Sequence, residues 1–275
     1  MKQSTPFLPA LLLLGIGFAI PATTLAENVE ESFHQTLALS SNGIVSLQNV
    51  NGSVRFSTWD RNEVQVDAVK HGKRKSDLDA VKIETEAKPG GLRIETKYPK
   101  FNWGPKNSAW VEYEIKVPVD ARLNDVVTVN GDIKVDGVHG QVRAATVNGR
   151  INLNGLRADA HLESVNGPLE AVYDKFESVE SLSAKSVNGG IRLSLPVSAD
   201  AEVTANTLNG SIQADPMLTV QRHVVGTKVQ GNLGKGGGSI HAETVNGSIS
   251  ILRGEPSKNT AHTSASKAKE KAEAD

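Results

Sequence analysis

Short runs of alternating apolar and polar residues return along the chain at a regular spacing. Most begin with the phrase Val-Asn-Gly-x-Ile or a close variant, as in Val129–Ile133 and Val147–Ile151. Alternation with a period of two, in residues that are often β-branched, is typical of strands with one buried face. A second corner of small residues and a second alternating run follow each phrase. Every unit is therefore predicted to hold two short strands and two corners.

The phrase occurs seven times, and its asparagines mark the spacing of the units. From Asn130 to Asn209 successive markers are 18, 18, 22 and 21 residues apart, whereas the last gap, to Asn246, is 37 residues. That gap is close to two periods, so a decayed copy is expected in it, near Val229–Leu233 or Gly237–Ile240. The corner asparagines are Asn51, Asn130, Asn148, Asn166, Asn188, Asn209 and Asn246, and the corner glycines are Gly52, Gly131, Gly149, Gly167, Gly189, Gly210 and Gly247.

The repeat predicts an all-β fold, a single-stranded, β-helix-like β-solenoid in which units of about 18–22 residues stack. Asparagines at the same corner of successive rungs can then hydrogen-bond to one another. Asn-Gly is also expected to supply the positive φ angles of a sharp corner. The alternative is that each Asn-Gly is the turn of an antiparallel hairpin, which gives a meander or sandwich. The stack is favoured because the second corner of each unit varies while the Val-Asn-Gly corner recurs.

The flanks of the repeat differ from it in pattern. Residues 27–125 hold longer alternating strands and are predicted to form an antiparallel sheet that caps the solenoid of residues 126–253. Residues 254–275 are rich in Ser, Lys, Ala and Glu, which predicts a disordered tail. Residues 1–26 combine a basic start with an apolar run that is too short to span a membrane. They indicate a signal peptide, cleaved between Ala26 and Glu27.

The predicted signal peptide implies export to the periplasm or the cell surface, and no membrane-spanning segment is expected after its cleavage. Thirty basic and 31 acidic side chains give a net charge of -1, which leaves no basic field for nucleic acid. The absence of cysteine excludes disulfide frameworks, thiolate nucleophiles and cysteine-ligated metals. The composition therefore leaves a nearly neutral exported protein.

Catalytic and metal-binding groups do not recur at equivalent positions of the units. Asp132 is replaced by Arg150 and Pro168 in the next two units, so carboxylates are not expected to stack into a catalytic pair. His161 and His241 each lie five residues before the asparagine of their unit, but Ser183 and Thr204 are expected to lie between them in the stack. We therefore predict no catalytic residues, no metal site and no cofactor.

One segment carries much of the aromatic content, with five of the chain's twelve aromatic residues. Such a cluster can stack on sugar rings or touch a membrane surface. The alternative is that it covers the first rung as a hydrophobic cap. The five residues are Tyr98, Phe101, Trp103, Trp110 and Tyr113.

Several ordered motifs resemble a known family. They are Ile44–Val54, Trp59–Val64, the strand end Ile115–Pro118 and the train of Val-Asn-Gly-x-Ile units. Together they are similar to the bacterial envelope β-strand-repeat proteins labelled putative adhesins, which are related to toastrack domains. The resemblance covers roughly residues 37–252 and implies an exported β-solenoid without known catalytic residues.

These observations favour a non-enzymatic, adhesin-like binding or structural protein of the bacterial cell envelope. Its partner is expected to be an envelope polysaccharide or a membrane protein. An alternative is a sensory or regulatory envelope component that docks on a membrane protein, and a third is a polysaccharide-cleaving β-helix enzyme. The sequence leaves the oligomeric state open.

Overall fold

A computed structural model describes residues 28–99, 107–216, 218–222 and 226–254. The predicted signal peptide, the cleavage site at Ala26 and Glu27, and the tail beyond Gly254 lie outside these residues. The part described is built almost wholly from strands, with one short helix. The all-β prediction is confirmed.

The strands are short in the repeat and longer at its N-terminal side. In chain order the elements are β1 (Val29–Ala38), β2 (Ile44–Gln48), β3 (Val54–Trp59), β4 (Glu63–Gly72), α1 (Lys75–Asp79), β5 (Lys82–Lys88), β6 (Gly91–Lys97), β7 (Trp110–Pro118), β8 (Arg122–Asn130), β9 (Ile133–Asp136), β10 (Val142–Asn148), β11 (Ile151–Leu156), β12 (Ala160–Asn166), β13 (Leu169–Tyr173), β14 (Ser181–Asn188), β15 (Ile191–Leu195), β16 (Ala201–Asn209), β17 (Ile212–Ala214), β18 (Thr219–Arg222), β19 (Thr227–Leu233), β20 (Gly238–Asn246) and β21 (Ile249–Arg253).

The strands form two facing sheets. The first sheet has the order β1-β4-β7-β3-β9-β11-β13-β15-β21-β17, and the second has the order β18-β19-β16-β20-β14-β12-β10-β8-β2-β6-β5. In the repeat each rung gives one strand to each sheet, and neighbouring rungs pair in parallel. The β-solenoid prediction is confirmed. The hairpin alternative is wrong, because the strands on either side of each Asn-Gly lie in different sheets.

The core is a thin layer between the two sheets. One rung illustrates it: Val142 and Ala144 of β10 face Ile151 and Leu153 of β11, and all four are at most 1% exposed. A two-stranded rung cannot bury such residues by itself, because half of its apolar surface faces the rungs above and below. Stacking in register makes these separate apolar faces continuous.

The N-terminal end is closed by antiparallel strands, as the sequence predicts, but the solenoid begins before the predicted boundary at residue 126. Within the region predicted as one antiparallel sheet, β2 pairs in parallel with β6 and β8, and β3 pairs in parallel with β7 and β9. In the first sheet β1 pairs with β4 and β4 with β7, and in the second sheet β5 pairs with β6. The helix α1 packs against β4 and β1. Its Asp77 is buried and accepts hydrogen bonds from Ser108 (2.6 Å) and Arg74 (2.8 Å), which hold the pKa of this carboxyl below its usual range.

At the C-terminal end the order of the rungs departs from the order of the chain. The last rung, β20 and β21, lies between the β14/β15 rung and the β16/β17 rung. The β18–β19 hairpin extends the second sheet beyond β16. The expectation of a decayed copy in this region is wrong: Val229–Leu233 lies in β19, antiparallel to β16, and Gly238–Ile240 begins the last rung itself.

Candidate binding face at the asparagine corner

The seven corner asparagines form one continuous hydrogen-bonded ladder. Six of the seven donate a hydrogen bond from the side-chain Nδ2 to the Oδ1 of the neighbouring asparagine, at 2.7 to 2.9 Å, and Asn51 accepts the first of these bonds. The ladder follows the stacking order, so Asn246 lies between Asn188 and Asn209. Its order is Asn51, Asn130, Asn148, Asn166, Asn188, Asn246 and Asn209.

The corner glycines are required by close stacking. A Cβ placed on Gly149 would lie 2.0 Å from the carbonyl oxygen of Gly131, and the same clash recurs along the row at 1.9 to 2.3 Å. The expectation of positive φ at these corners is wrong for six of the seven, because only Gly52 has one, at +116°. A side chain at this point would hold adjacent rungs apart, so the need for glycine is steric rather than conformational.

A buried row of hydroxyls supports the glycine row. In six rungs a Ser or Thr two residues before the asparagine donates to the corner-glycine carbonyl of the neighbouring rung, at 2.8 to 3.3 Å. In the first rung Asn49 takes this position and donates to Val111 O at 3.1 Å. The sequence prediction missed this row, although the motif is visible as Ser/Thr-Val-Asn-Gly. The six residues are Thr128, Thr146, Ser164, Ser186, Thr207 and Thr244.

Beside the asparagine ladder, an aliphatic stripe faces solvent. The residue just before each asparagine is Val or Leu, and six of the seven are 37 to 51% exposed, while Val129 is half-buried. At ~4.8 Å per rung, the six steps of the stripe cover about 29 Å. In stacking order the stripe consists of Val50, Val129, Val147, Val165, Val187, Val245 and Leu208.

The stripe lines two shallow grooves on the second sheet. One, of about 410 Å³, runs over the four rungs from β8 to β14 and includes Val147, Val165 and Val187. The other, of about 320 Å³, includes Val245 and Leu208. On the outer side of the stripe, Glu163, Lys185 and Glu243 lie in register on neighbouring strands. Charge alternates in this column, so the stripe carries little net field.

On the other side of the ladder, small side chains form a trough. Pro168, Gly190, Ser248 and Ser211 line a groove of about 620 Å³ at the start of the first-sheet strands. Arg150, Glu170 and Arg192 border it. The asparagine ladder is thus a polar ridge between an aliphatic stripe and a trough of small residues. We call these three features together the corner face.

The aromatic residues singled out in the sequence do not form one surface. Tyr113 lies in the core, 1% exposed, and bonds to Thr96 at 2.6 Å, so its inclusion in a ligand surface is wrong. The Tyr98 hydroxyl donates to Asn51 O at 3.1 Å, and burial raises its pKa to about 12. Trp110 stacks on His71 with ring centroids 5.1 Å apart. Phe101 and Trp103 lie outside the described residues.

The histidines are closer in the stack than the sequence suggests. His161, Ser183 and His241 are in register, with Thr204 beyond His241, so only Ser183 lies between the two histidines. The reason is the inserted last rung. In the part of the chain that the structure describes, no three His, Cys, Asp or Glu residues are grouped to hold a metal ion. Nor does that part contain a helix of the length and apolarity needed to cross a membrane.

Comparison with solved structures gives distant likenesses. A putative cell adhesion protein from Clostridium sporogenes is 14% identical, with a TM-score of 0.42, over 82% of this chain and 100% of that one. A putative adhesin from Bacteroides fragilis is 11% identical, with a TM-score of 0.35, over 81% of this chain and 97% of that one. A putative lipid binding protein from Parabacteroides distasonis is 11% identical, with a TM-score of 0.29, over 80% of this chain and 96% of that one.

The comparison with curated proteins finds no match. A family model, by contrast, matches residues 38–252, the stretch from the end of β1 through the inserted last rung. This span contains all seven Asn-Gly corners. The chain belongs to the Toastrack DUF4097 family.

Proposed function

We propose that this chain is an exported, non-enzymatic binding protein of the bacterial cell envelope, and that its corner face holds an extended, uncharged polysaccharide. The observation that carries the proposal is the pairing of an exposed aliphatic stripe with a continuous ladder of amides. Contiguous exposed apolar surface rimmed by polar groups is characteristic of interaction sites. Its length of about 29 Å suits a linear partner better than a compact one.

The ladder supplies the polar part of this recognition. An asparagine side chain has two N–H donors and an acceptor oxygen with two lone pairs. Within the ladder Asn166 uses one donor towards Asn148 and one lone pair towards Asn188. One donor and one lone pair remain for a ligand at each such rung. Sugar hydroxyls, which both donate and accept, match this pattern.

The stripe supplies the apolar part. The exposed methyl groups of Val147, Val165 and Val187 can pack against the C–H faces of sugar rings, which are apolar although their edges are polar. The neighbouring column of Glu163, Lys185 and Glu243 alternates in sign, so it neither attracts nor repels one type of charge over its length. An uncharged polymer fits this surface best.

Export rests on the predicted signal peptide of residues 1–26 and supports the envelope as the place of action. The non-enzymatic part of the proposal rests on the openness of the corner face. Catalysis by paired carboxylates needs two of them fixed about 5 to 9.5 Å apart around a bound sugar. The corner ladder instead presents chemically identical amides from rung to rung, a pattern suited to holding a chain rather than cleaving one bond.

The test is co-sedimentation of the purified chain with insoluble bacterial cell-wall polysaccharide. The double variant Val147→Lys with Val187→Lys should weaken binding at least tenfold, since two charges would then face the apolar part of the ligand. The matched control is Val197→Lys, a valine 62% exposed outside the stripe, which should bind as the unmodified chain does. Equal binding by stripe variant and control would contradict the corner face as the site.

Two further outcomes separate the alternatives. New reducing ends during the incubation would contradict a non-enzymatic role. In a parallel pull-down from solubilised bacterial envelope, retention of a single protein at fixed stoichiometry, together with no binding to the polysaccharide, would favour the sensory or regulatory alternative instead. Circular dichroism melts of all variants establish that the comparison is between folded chains.

A further inference from the structure

The terminal rung is an insert between two rungs made earlier in the chain. β20 pairs in register with β14 on one side and with β16 on the other, and β21 pairs with β15 and β17. The inward side chains of this rung are at most 1% exposed. They are Ile240, Ala242, Ile249 and Ile251.

The slot that receives this rung is complementary to the Asn-Gly corner of the repeat. Its corner needs a glycine, because a Cβ on Gly247 would lie 2.3 Å from Gly189 O, and a Cβ on Gly210 would lie 2.0 Å from Gly247 O. It also needs an asparagine between Asn188 and Asn209 to complete the ladder. The same segment of a second copy of the chain meets both demands and also brings the inward side chains that fill the slot.

The rung is attached through a short, glycine-rich connection, residues 234–237, which passes round the start of β16. Gly234 and Gly236 have positive φ, +57° and +76°. The connection is held at Asp200, whose side chain accepts from the Lys235 amide and whose carbonyl accepts from the Gly238 amide, both at 3.1 Å. Short hinge connections favour strand exchange, because the chain has little length with which to turn back on itself.

Removal of the rung leaves the rest of the stack connected. Within the described residues only Gly254 follows β21, so no other described element has to be withdrawn with it. The loop of residues 196–200 still joins the two rungs on either side of the slot, β14/β15 and β16/β17. The terminal rung therefore has the three properties of an exchangeable element: a chain-terminal place in the described fold, a hinge and a receiving slot in matching register.

We propose that two copies of this chain exchange their terminal rungs, Gly238–Arg253, and form a domain-swapped dimer. Each copy extends its 234–237 connection and inserts β20–β21 into the other copy's slot. Monomer and dimer contain the same strand pairs, so the balance depends on hinge strain and protein concentration. If the corner face binds a polymer as proposed above, the dimer carries two such faces and gains avidity without any new contact to ligand.

The chain contains no cysteine, so introduced thiols report on the exchange without background. Lys185 of β14 and Glu243 of β20 are register partners on the outer surface. A chain with Lys185→Cys and a chain with Glu243→Cys are mixed, unfolded, refolded together at high concentration and oxidised. In a swapped heterodimer the two cysteines face each other. About half of the dimers should become covalent, the statistical share of heterodimers in an equal mixture.

The matched control is a mixture of Glu163→Cys and Lys185→Cys chains. These positions are also register partners, but β12 and β14 stay within one copy after exchange. No interchain disulfide should form above background. Equal yields of covalent dimer in the two mixtures, or none in the first mixture, would overturn the proposal.

A hinge variant gives a second, independent measurement. Deleting Gly236 and Gly237 leaves two residues between Leu233 and Gly238, too few to pass round Asp200 and return to the chain's own slot. The dimer fraction by light scattering at fixed concentration should rise at least tenfold. A folded, fully monomeric deletion variant would contradict the swap. The cysteine experiment decides the matter if this variant does not fold.

Discussion

The side-chain amide of Asn246 donates a hydrogen bond of 2.8 Å to Asn188, 58 residues earlier in the chain. This bond shows the stacking order, because it places the last repeat between the fifth and the sixth instead of beyond the sixth. Asn209 then donates to Asn246 at 2.8 Å and ends the ladder among the described residues. The continuity of the corner face across its C-terminal half depends on this insertion.

The ladder predicts that replacing an inner asparagine with alanine lowers the free energy of unfolding more than replacing a terminal one. Asn166→Ala removes two ladder bonds and should lower the free energy of unfolding by about 1–2 kcal/mol, the net value of two exposed hydrogen bonds. Asn209→Ala removes one ladder bond and should cost about half as much. Urea unfolding followed by circular dichroism measures both. Equal costs would mean that the ladder bonds do not add.

The glycine row predicts a steric penalty. Gly149→Ala puts a Cβ 2.0 Å from the Gly131 carbonyl oxygen and should destabilise the protein by about 3 kcal/mol or more, because backbone must move. The control is Gly254→Ala, where a Cβ meets nothing within 4 Å and the free energy of unfolding should hardly change. Thermal and urea unfolding of both variants test this. A tolerated Gly149→Ala would show that the rungs are less closely stacked.

The hydroxyl row predicts that the protein loses stability when the hydroxyl donor is removed, even if the shape of the side chain is kept. Thr146→Val keeps the shape of the side chain but removes the donor to Gly131 O, at 3.1 Å, and should cost about 1–2 kcal/mol. Thr146→Ser keeps the hydroxyl and should cost less, despite its smaller apolar surface. The order of the two unfolding midpoints is the measurement. A more stable Val variant would contradict the structural role of this bond.

The tyrosines predict an alkaline limit to stability. Burial raises the pKa of Tyr98 to about 12 and shifts the pKa values of Tyr113 and Tyr173 in the same direction. In the unfolded chain these groups ionise near pH 10, so above that pH the unfolded state holds fewer protons. The free energy of unfolding should therefore fall as the pH rises from about 10 towards 12.

Absorbance at 295 nm tests this directly, since the chain has three tyrosines and all are affected. At about pH 11 the folded protein should show little tyrosinate, and urea should release the full signal. A midpoint near pH 10 in the folded protein, at unchanged circular dichroism, would show that these hydroxyls are open to solvent.

Much of the fold can be predicted because its information is local. A period-two pattern interrupted by Val-Asn-Gly defines a strand, a corner and a second strand within 20 residues or so, and each unit can be interpreted by itself. The antiparallel cap also follows from local pattern, since Trp110–Pro118 alternates over a longer stretch than most strands of the repeat.

The stacking order cannot be predicted in the same way. All seven corners share one register, so the unit at Asn246 would fit beyond Asn209 as well as between Asn188 and Asn209, where it lies. Local sequence contains nothing that distinguishes them. The choice is made by the β18–β19 hairpin, which occupies the free edge of β16 and leaves the gap on its other side for the last rung. For the same reason the sequence overestimates the distance between His161 and His241.

Other features are visible in the sequence but cannot be interpreted from a single unit. The glycine of each corner suggests positive φ, although its reason lies in the neighbouring rung, which a single unit does not display. The aliphatic residue before each asparagine follows a buried polar residue and therefore points outward, so the stripe is formed only when the units stack. The candidate binding face emerges only when the rungs are aligned in space.

The insertion of the last rung can be tested with two pairs of cysteines in the monomeric protein. Ser183 and His241 are register partners on β14 and β20, whereas Ser183 and Thr204 are separated by the inserted strand, about 9.6 Å at ~4.8 Å per step. A chain with Ser183→Cys and His241→Cys should oxidise to an intrachain disulfide, and a chain with Ser183→Cys and Thr204→Cys should stay reduced. Oxidation of the second pair with the first left reduced would mean that the rungs stack in sequence order, and it would contradict the insertion of Asn246 between Asn188 and Asn209 in the corner face.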